Sequence, residues 1–384
     1  MNLERNSIKL KLIFYSLLII LFSFAKSQDV KVALFYKKNV KEIIINLNTG
    51  KHIIFNELME LDLKNKTFLI QAVSDSIVQI ITYDTIINSK KINILSQNFN
   101  SCLKVKVSEL NNFETFYYGN FEITAKNGHL KIINTINLEN YLQSIIESET
   151  GYHNILEMYK LQAILSRTYI IKNFWRHYDE GFNFCDDVHC QVYKGINLNF
   201  SSFTLIAQAI NETKNLVITY NNKLIDAVYH ANCGGETANS GQLWNVNKPY
   251  LKSIKDYYCV KSNNFKWETK IPLSNFNNFL SKYNTKIDNN FKFTQETRTK
   301  WLEVNNQKIP LNEIRQHFNL YSTFFNIKVI NDTVIIYGKG KGHGVGLCQD
   351  GAKQQILEGF NYEQVIKYYY GKDVKIVNFT SLFK

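Results

Sequence analysis

The stretch that most constrains this chain is Leu138–Thr150, LENYLQSIIESET, which has the pattern of an amphipathic helix. Its apolar residues follow the i, i+4, i+7, i+8 spacing of one buried helix face: Leu138, Leu142, Ile145 and Ile146. Glu149 projects from that face, where a carboxylate needs a buried cationic partner or a raised pKa that keeps it protonated. A neutral Glu can act as a general acid. The alternative is that the helix ends at Glu149, before Gly151, and the side chain turns into water.

The first 27 residues have the order of a secretory signal peptide. Basic residues precede the apolar run Leu12–Ala25, and small residues close it. The alternative is an uncleaved membrane anchor, since the run is very apolar although a little short. We therefore expect an exported protein of the periplasm or cell envelope, with membrane contact only through an uncleaved signal.

The net charge of +12 and the 14% aromatic content suit an anionic partner that has ring-shaped units. Cell-wall glycan with attached carboxylates fits this description. Nucleic acid is disfavoured, because the sequence contains no nucleic-acid-binding motif and export is expected. No organic cofactor is expected.

The 384 residues leave room for two domains, and the patterning predicts an α+β fold. Strand-like runs such as Val30–Tyr36 and Glu42–Leu47 make residues 28–120 a β-rich region. It precedes a mixed helix and strand domain, residues 121–384, on which we expect it to pack. Further helices are predicted at Ile155–Tyr178 and Asn197–Glu212. Lys160 and Arg167, seven residues apart, would form either a basic ledge or an ordinary solvated helix face.

Two thiols and two imidazoles lie close together in the sequence, at the end of the second predicted helix and just after it: His177, Cys185, His189 and Cys190. They could supply four ligands for a tetrahedral zinc ion, although the spacing is not that of a zinc finger. A Cys185–Cys190 disulfide is the alternative in an oxidising compartment. If any cysteines pair elsewhere, we expect Cys233 and Cys259 to do so, since they bracket one short stretch.

Near the C-terminus, a predicted strand over Val334–Tyr337 runs into GKGKGHGVGLCQDGAKQQILEGF. The alternating glycines do not match a phosphate-binding loop, because the Lys-Ser/Thr ending and the GxGxxG spacing are missing. We interpret this stretch as a loop whose backbone passes close to a ligand or to a neighbouring segment, and which presents His343 and Gln349.

Several of these stretches together resemble the SpoIID/LytB family, which contains sporulation stage II protein D and the amidase enhancer. The matching motifs occur in the family's order between about Phe121 and Gly371: LENYLQSIIESE, YKLQAILSRTYII, CDDVHCQVYKG, AVYHANCGGET, PYLKSI and GKGKGHGVGLCQDGAKQQILEGFNYEQVIKYYYG.

The resemblance implies a peptidoglycan lytic transglycosylase with a SpoIID-type domain and a substrate cleft. Such enzymes cut between MurNAc and GlcNAc and leave a 1,6-anhydroMurNAc end. The family's catalytic Glu closes a LEDYVxGVVAAE-like motif and corresponds to Glu149. The family's zinc falls on Cys185, His189 and Cys190, with His177 as the fourth ligand, and we expect a structural role for it because four protein ligands leave no open position. Residues expected to bind substrate are Lys160, Gln162, Arg167, Tyr169, Tyr193, His343 and Gln349.

The chain departs from the family pattern at four positions. Thr150 stands where Met is usual, Asn140 where Asp is usual, and Cys233 and Cys348 where Ser is frequent. None of these changes removes a proposed catalytic group. The alternative function from another class is a non-catalytic wall-binding protein that enhances an amidase, which would then be its partner. Nothing in the sequence shows a link to sporulation.

Overall fold

The computed structural model describes residues 29–383 except 64–65, 99–100, 152–153, 197–202 and 245. The predicted signal peptide therefore lies outside the described residues. Contacts divide the chain into two compact units, which are described separately. The first holds the residues up to Asn215 together with those from Asn378 onward, and the second is Leu216–Val377. The predicted domain boundary after residue 120 falls inside the first unit.

The first unit contains two six-stranded sheets, ordered β12-β1-β11-β10-β7-β3 and β6-β5-β4-β2-β8-β9. In β2 and β4 alternate residues are buried, because successive side chains point to opposite faces of a strand. The strands are β1 Asp29–Leu34, β2 Glu42–Thr49, β3 His52–Phe55, β4 Thr67–Ala72, β5 Val78–Ile81, β6 Ile86–Ser89, β7 Lys91–Ser96, β8 Cys102–Val107, β9 Phe113–Tyr118, β10 Asn120–Lys126, β11 His129–Asn137 and β12 Phe184–Cys185.

Strand β10 starts at the predicted boundary and pairs with strands on both sides of it in the sequence. Phe121 lies opposite Asn134 of β11 and opposite Ile94 of β7. One sheet thus contains strands from the β-rich region and from the region that follows it. The hydrophobic core of the unit also extends from these strands into the helices.

The helices of the first unit are α1 Leu138–Thr150, α2 Leu156–Lys172 and α3 Phe203–Glu212, and 3-10 turns lie at Tyr178–Glu180, between α2 and α3, and at Phe379–Phe383. Helix α1 has the predicted bounds, and Asn137 caps it by accepting the N–H of Glu139. Helix α2 was predicted to reach Tyr178 but ends at Lys172, where the backbone N–H of Asn173 closes the last turn. The predicted start of α3 lies outside the described residues.

The second unit is built on the antiparallel sheet β16-β21-β20-β17, whose inner face shares a core with helices α5 (Leu273–Leu280) and α6 (Leu311–His317). Its remaining strands form the order β14-β13-β23, the parallel pair β15-β22 and the hairpin β18-β19. The predicted strand before the glycine-rich stretch is β21.

The strands are β13 Leu216–Tyr220, β14 Lys223–Leu224, β15 Tyr229–His230, β16 Lys266–Pro272, β17 Lys292–Phe293, β18 Trp301–Val304, β19 Gln307–Pro310, β20 Phe325–Ile330, β21 Thr333–Lys339, β22 Leu347–Cys348 and β23 Lys375–Asn378. The helices are α4 Ser240–Trp244, α5 Leu273–Leu280, α6 Leu311–His317, α7 Gln349–Leu357 and α8 Tyr362–Tyr370, with 3-10 turns at Tyr258–Lys261 and Ser281–Tyr283. The α+β fold class is confirmed, and the substrate cleft stays a prediction.

Candidate active site and metal centre

The loop that follows α2 carries the residues predicted to bind zinc, and strand β12 anchors it. Cys185 lies in β12, which pairs in parallel with β1 opposite Ala33. The carboxylate of Asp186 accepts the backbone N–H groups of Phe35 at 2.6 Å and Tyr36 at 3.2 Å. These bonds fix the loop to the edge of the sheet. Burial raises the pKa of Asp186 to about 6.

The structure brings His177, Cys185, His189 and Cys190 together, and we call them the His/Cys cluster. One donor atom from each lies within 4.8 Å of all the others. Sγ of Cys190 is 3.3 Å from Nε2 of His177 and 3.6 Å from Nδ1 of His189. Two thiols and two imidazoles at this spacing match the ligand types and number of a structural zinc site.

The carboxylate of Glu180 orients the imidazole of His177. Its Nδ1 lies 2.5 Å from Oε1 of Glu180, so Nδ1–H donates to a carboxylate and leaves Nε2 facing Cys190. A carboxylate behind a metal-binding imidazole fixes the tautomer and makes the ligand more basic. His189 is different, because it is exposed and its Nε2 lies 3.2 Å from the guanidinium of Arg176.

Cys185 and Cys190 are both free thiols, so the structure does not contain the alternative disulfide. The hydrogen bond between them lowers the pKa of Cys185 to about 5 and raises the pKa of Cys190, because the two sulfurs share one proton. A pair with one thiolate already formed is chemically suited to bind zinc.

Glu149 lies one residue before the end of α1 and is half-buried. Its Oε1 accepts the backbone N–H of Val192 at 2.9 Å. Val192 follows Cys190 by two residues, so the loop that carries the His/Cys cluster also holds the carboxylate. The side chain is thus held by a backbone group of the loop, and it is partly rather than fully buried. The expected cationic partner or raised pKa stays a prediction.

Three of the residues expected to bind substrate are instead buried in the first unit. Arg167 is 1% exposed, and its guanidinium donates to Glu139 Oε2 and to the Thr213 carbonyl oxygen, both at 2.9 Å. Gln162 donates to the Ser166 hydroxyl inside α2, and the Tyr193 hydroxyl donates to Asn134. Burial leaves them no surface for a glycan, so the predicted basic ledge is wrong for Arg167.

The remaining predicted residues are more accessible. Lys160 is half-buried and bridges Glu157 at 2.9 Å and Glu212 at 2.7 Å, which ties α2 to α3. Tyr169 accepts a hydrogen bond from Arg176, and burial raises its pKa to about 12. His343 and Gln349 belong to the second unit, where both are half-buried. The N–H of Val345 donates to Nδ1 of His343.

Two exposed aromatic residues near the His/Cys cluster were missed by the sequence analysis. Trp175 and Tyr178 are 54% and 68% exposed, and their ring centroids lie 5.5 Å apart, edge to face. They border a depression of about 320 Å³ that Lys31 and Phe182 also line. The signal in the sequence was the run WRHY at the predicted end of a helix, where large aromatic residues are not needed for the core.

The expected pairing of Cys233 with Cys259 is also absent. Both thiols are free, with Sγ atoms 3.4 Å apart.

Comparison with known proteins gives four relevant matches. The family model described as stage II sporulation protein, SpoIID, matches residues 126–220, which contain α1, α2 and the His/Cys cluster. An uncharacterized protein of Brachyspira hyodysenteriae is 29% identical over 281 residues, which are 70% of this chain and 74% of the relative. Stage II sporulation protein D of Bacillus subtilis is 29% identical over 257 residues, 62% of this chain and 74% of the relative.

An amidase enhancer of Bacillus subtilis is 25% identical over 289 residues, which are 60% of this chain and 39% of the relative. These matches confirm the resemblance to the SpoIID/LytB family that the motifs indicated. Among the residues that the structure describes, no helix combines the length and apolar character needed to cross a membrane.

Proposed function

We propose that this chain, a relative of the SpoIID/LytB family, is a lytic transglycosylase that cuts peptidoglycan glycan strands between MurNAc and GlcNAc. The observation that carries the proposal is the hydrogen bond from Val192 to Glu149. It holds the candidate acid at the end of α1 against the loop of the His/Cys cluster. Similarity to a stage II sporulation protein D and to an amidase enhancer supports a cell-wall-related role.

One carboxyl group is sufficient for this reaction. Glu149 donates its proton to the glycosidic oxygen as the bond from that oxygen to C1 of MurNAc breaks. The resulting carboxylate then takes the proton of the C6 hydroxyl while the C6 oxygen bonds to C1, which closes the 1,6-anhydro ring. No water is consumed and Glu149 ends protonated, as it began. A hydrolase needs a second carboxyl group, because water must be activated as well.

The surface beside the His/Cys cluster has the chemistry to hold a glycan. Trp175 and Tyr178 present aromatic faces to solvent, and such faces pack well against the apolar faces of sugar rings. Lys31 lines the same depression and would attract the carboxylates of the wall polymer. Lys160 and Tyr169 remain candidates for further substrate contacts, and the expected role of His343 and Gln349 stays a prediction.

The His/Cys cluster fits a zinc ion in a structural role. With four protein ligands the ion would leave no open position, so it would supply loop rigidity and no Lewis-acid chemistry. Cys185 would fasten β12 and Cys190 would fasten the turn that leads to Val192. In this proposal the metal centre thereby controls where Glu149 lies.

Digestion of purified sacculi by the protein alone tests the catalytic proposal. Glu149→Gln should lower release of 1,6-anhydro-muropeptides by roughly a hundredfold to ten-thousandfold, the usual contribution of a general acid and base. Glu147→Gln, two residues away on the same helix, is the matched control and should retain activity. Wild-type activity in the Glu149→Gln variant would remove the assignment.

A second candidate is a non-catalytic enhancer of an N-acetylmuramoyl-L-alanine amidase, and similarity to an amidase enhancer favours it. The same sacculi separate the two functions. Release of anhydro-muropeptides by this protein alone supports the enzyme. No product alone, together with faster peptide release when an amidase is added, supports the enhancer.

A further inference from the structure

We propose that Cys233, Asp256, Cys259 and Cys348 form a second zinc site, in the second unit of the chain. We call these residues the Cys/Asp cluster. All four are buried, and one donor atom from each lies within 4.8 Å of the others. Three sulfurs and one carboxylate oxygen are the ligand number and types that tetrahedral zinc accepts, and the thiolates favour zinc over magnesium or calcium.

Three separate segments contribute the ligands. Cys233 follows β15, Asp256 and Cys259 flank the start of the 3-10 turn Tyr258–Lys261, and Cys348 ends β22 and caps α7. The parallel pairing of β15 with β22, His230 opposite Cys348, brings the first and last segments together. A metal ion here would fasten three segments that lie apart in the sequence.

The sulfur atoms are arranged as metal ligands are. Sγ of Cys233 lies 3.4 Å from Sγ of Cys259 and donates to Oδ2 of Asp256 at 3.2 Å. Sγ of Cys348 accepts the backbone N–H groups of Cys233 at 3.3 Å and Gly351 at 3.4 Å. Hydrogen bonds from backbone N–H groups of this kind orient metal ligands as an outer shell of contacts.

A second layer of contacts orients the carboxylate. The Tyr369 hydroxyl donates to Oδ2 of Asp256 and the Tyr258 N–H donates to Oδ1, both at 3.0 Å. A side chain at position 351 would overlap both the Tyr369 hydroxyl and Asp256, so only glycine allows this approach. Carboxylates that bind a metal ion are regularly oriented by hydrogen bonds of this kind.

The charge balance also favours a cation over a disulfide. A Cys233–Cys259 disulfide would use neither the third thiol nor the fully buried carboxylate. Burying Asp256 is costly unless a cation or several donors compensate. A zinc ion would use all three sulfurs and compensate the charge of the buried carboxylate.

Zinc content per chain, measured by elemental analysis of the purified full chain, tests the site. Cys348→Ser should bind one zinc ion fewer than Cys102→Ser. Cys102 is the matched control, because it is equally buried but lies in β8 of the first unit, where it contacts Thr49. Equal zinc content in the two variants would overturn the proposal, as would a Cys233–Cys259 disulfide in peptide mapping of the unreduced wild type.

A second measurement leaves the Cys/Asp cluster intact, in case Cys348→Ser does not fold. The Cys185→Ser/Cys190→Ser variant lacks the sulfur ligands of the first cluster, and it is loaded with Co²⁺ in place of zinc. Thiolate-to-cobalt charge-transfer bands in this variant would support the second site. Their absence would contradict it. Neither result depends on whether the first cluster binds zinc or on transglycosylase activity.

Discussion

The His/Cys cluster and the Cys/Asp cluster bring together similar ligands in two different ways. The first draws all its residues from one loop, so that His177 and Cys190 are 13 positions apart, and its His189 is exposed. The second joins residues up to 115 positions apart, and all of them are buried. A local cluster shapes one loop, here the loop that holds Glu149. A cluster built from distant segments contributes to the stability of a whole unit. The first should therefore affect activity and the second stability.

The largest effect should come from breaking the Cys/Asp cluster. Cys259→Ser should lower the free energy of unfolding of the second unit by about 3–5 kcal/mol, because the remaining buried charges lose a partner. Chemical denaturation followed by Trp fluorescence measures the change. Cys102→Ser should lower the free energy of unfolding far less. Equal losses in the two variants would contradict the proposal that Cys259 belongs to a metal site and Cys102 does not.

Cys185→Ser should act on catalysis more than on stability. Without the sulfur of Cys185, a proposed zinc ligand, the turn before Val192 would be held less firmly. A misplacement of Glu149 by about 1 Å can then lower the rate roughly a hundredfold. Sacculus digestion and denaturation, carried out on the same preparation, measure both. If Cys185→Ser unfolds the chain as readily as Cys259→Ser, the proposed division between activity and stability fails.

The second unit should also lose stability in acid. Burial lowers the pKa of His343 to about 4 and lowers that of His230, and Arg298 and Arg315 act in the same direction. The unfolded chain then binds more protons than the folded chain between pH 6.5 and 4. The stability contributed by His343 alone is fully present above pH 6.5, and it falls by about 3 kcal/mol as the pH drops to 4.

Urea denaturation at pH 7 and pH 4.5 checks this prediction. His343→Gln removes the titrating imidazole, so its stability should depend less on pH than that of the wild type. Acid release of metal would affect both proteins alike. The same pH dependence in both would show that His343 does not carry the effect.

The smallest effect concerns the exposed aromatic pair. Trp175→Ala should weaken binding to sacculi by about 1 kcal/mol, or roughly fivefold, through loss of one stacking face. Cosedimentation with purified sacculi measures it. Tyr83→Ala is the control, because Tyr83 is as exposed as any aromatic residue described in the chain. It is also distant from Trp175 in the sequence. Equal losses in the two variants would remove Trp175 from the binding surface.

The sequence predicted α1 well and α2 less well, for a physical reason. In α1 apolar residues occupy one face, so the period of the helix shows which residues are buried. In α2 apolar residues occur on all sides, and most of its residues are buried. Arg167 was therefore placed on a solvated face, although its ion pair with Glu139 made burial possible.

The His/Cys cluster could be predicted because its spacing is local, whereas the Cys/Asp cluster could not. The only signals for the second were the Asp256-x-x-Cys259 spacing and two cysteines at positions where the related family often has serine. Neither signal indicates that Cys348 lies next to Cys233, Asp256 and Cys259. Spacing along the chain gives distances only over a few residues, within one helix, strand or turn.

By itself, the sequence determined the α+β class, the amphipathic helix that ends near Glu149 and the loop that gathers four potential ligands. These features follow from periodicity and short-range spacing, which act through neighbouring residues. Only the tertiary structure decided that Val192 holds Glu149, that Arg167 is buried and that three distant cysteines surround Asp256. Each of these depends on how strands and helices far apart in sequence pack together, and that packing is decided by the whole core.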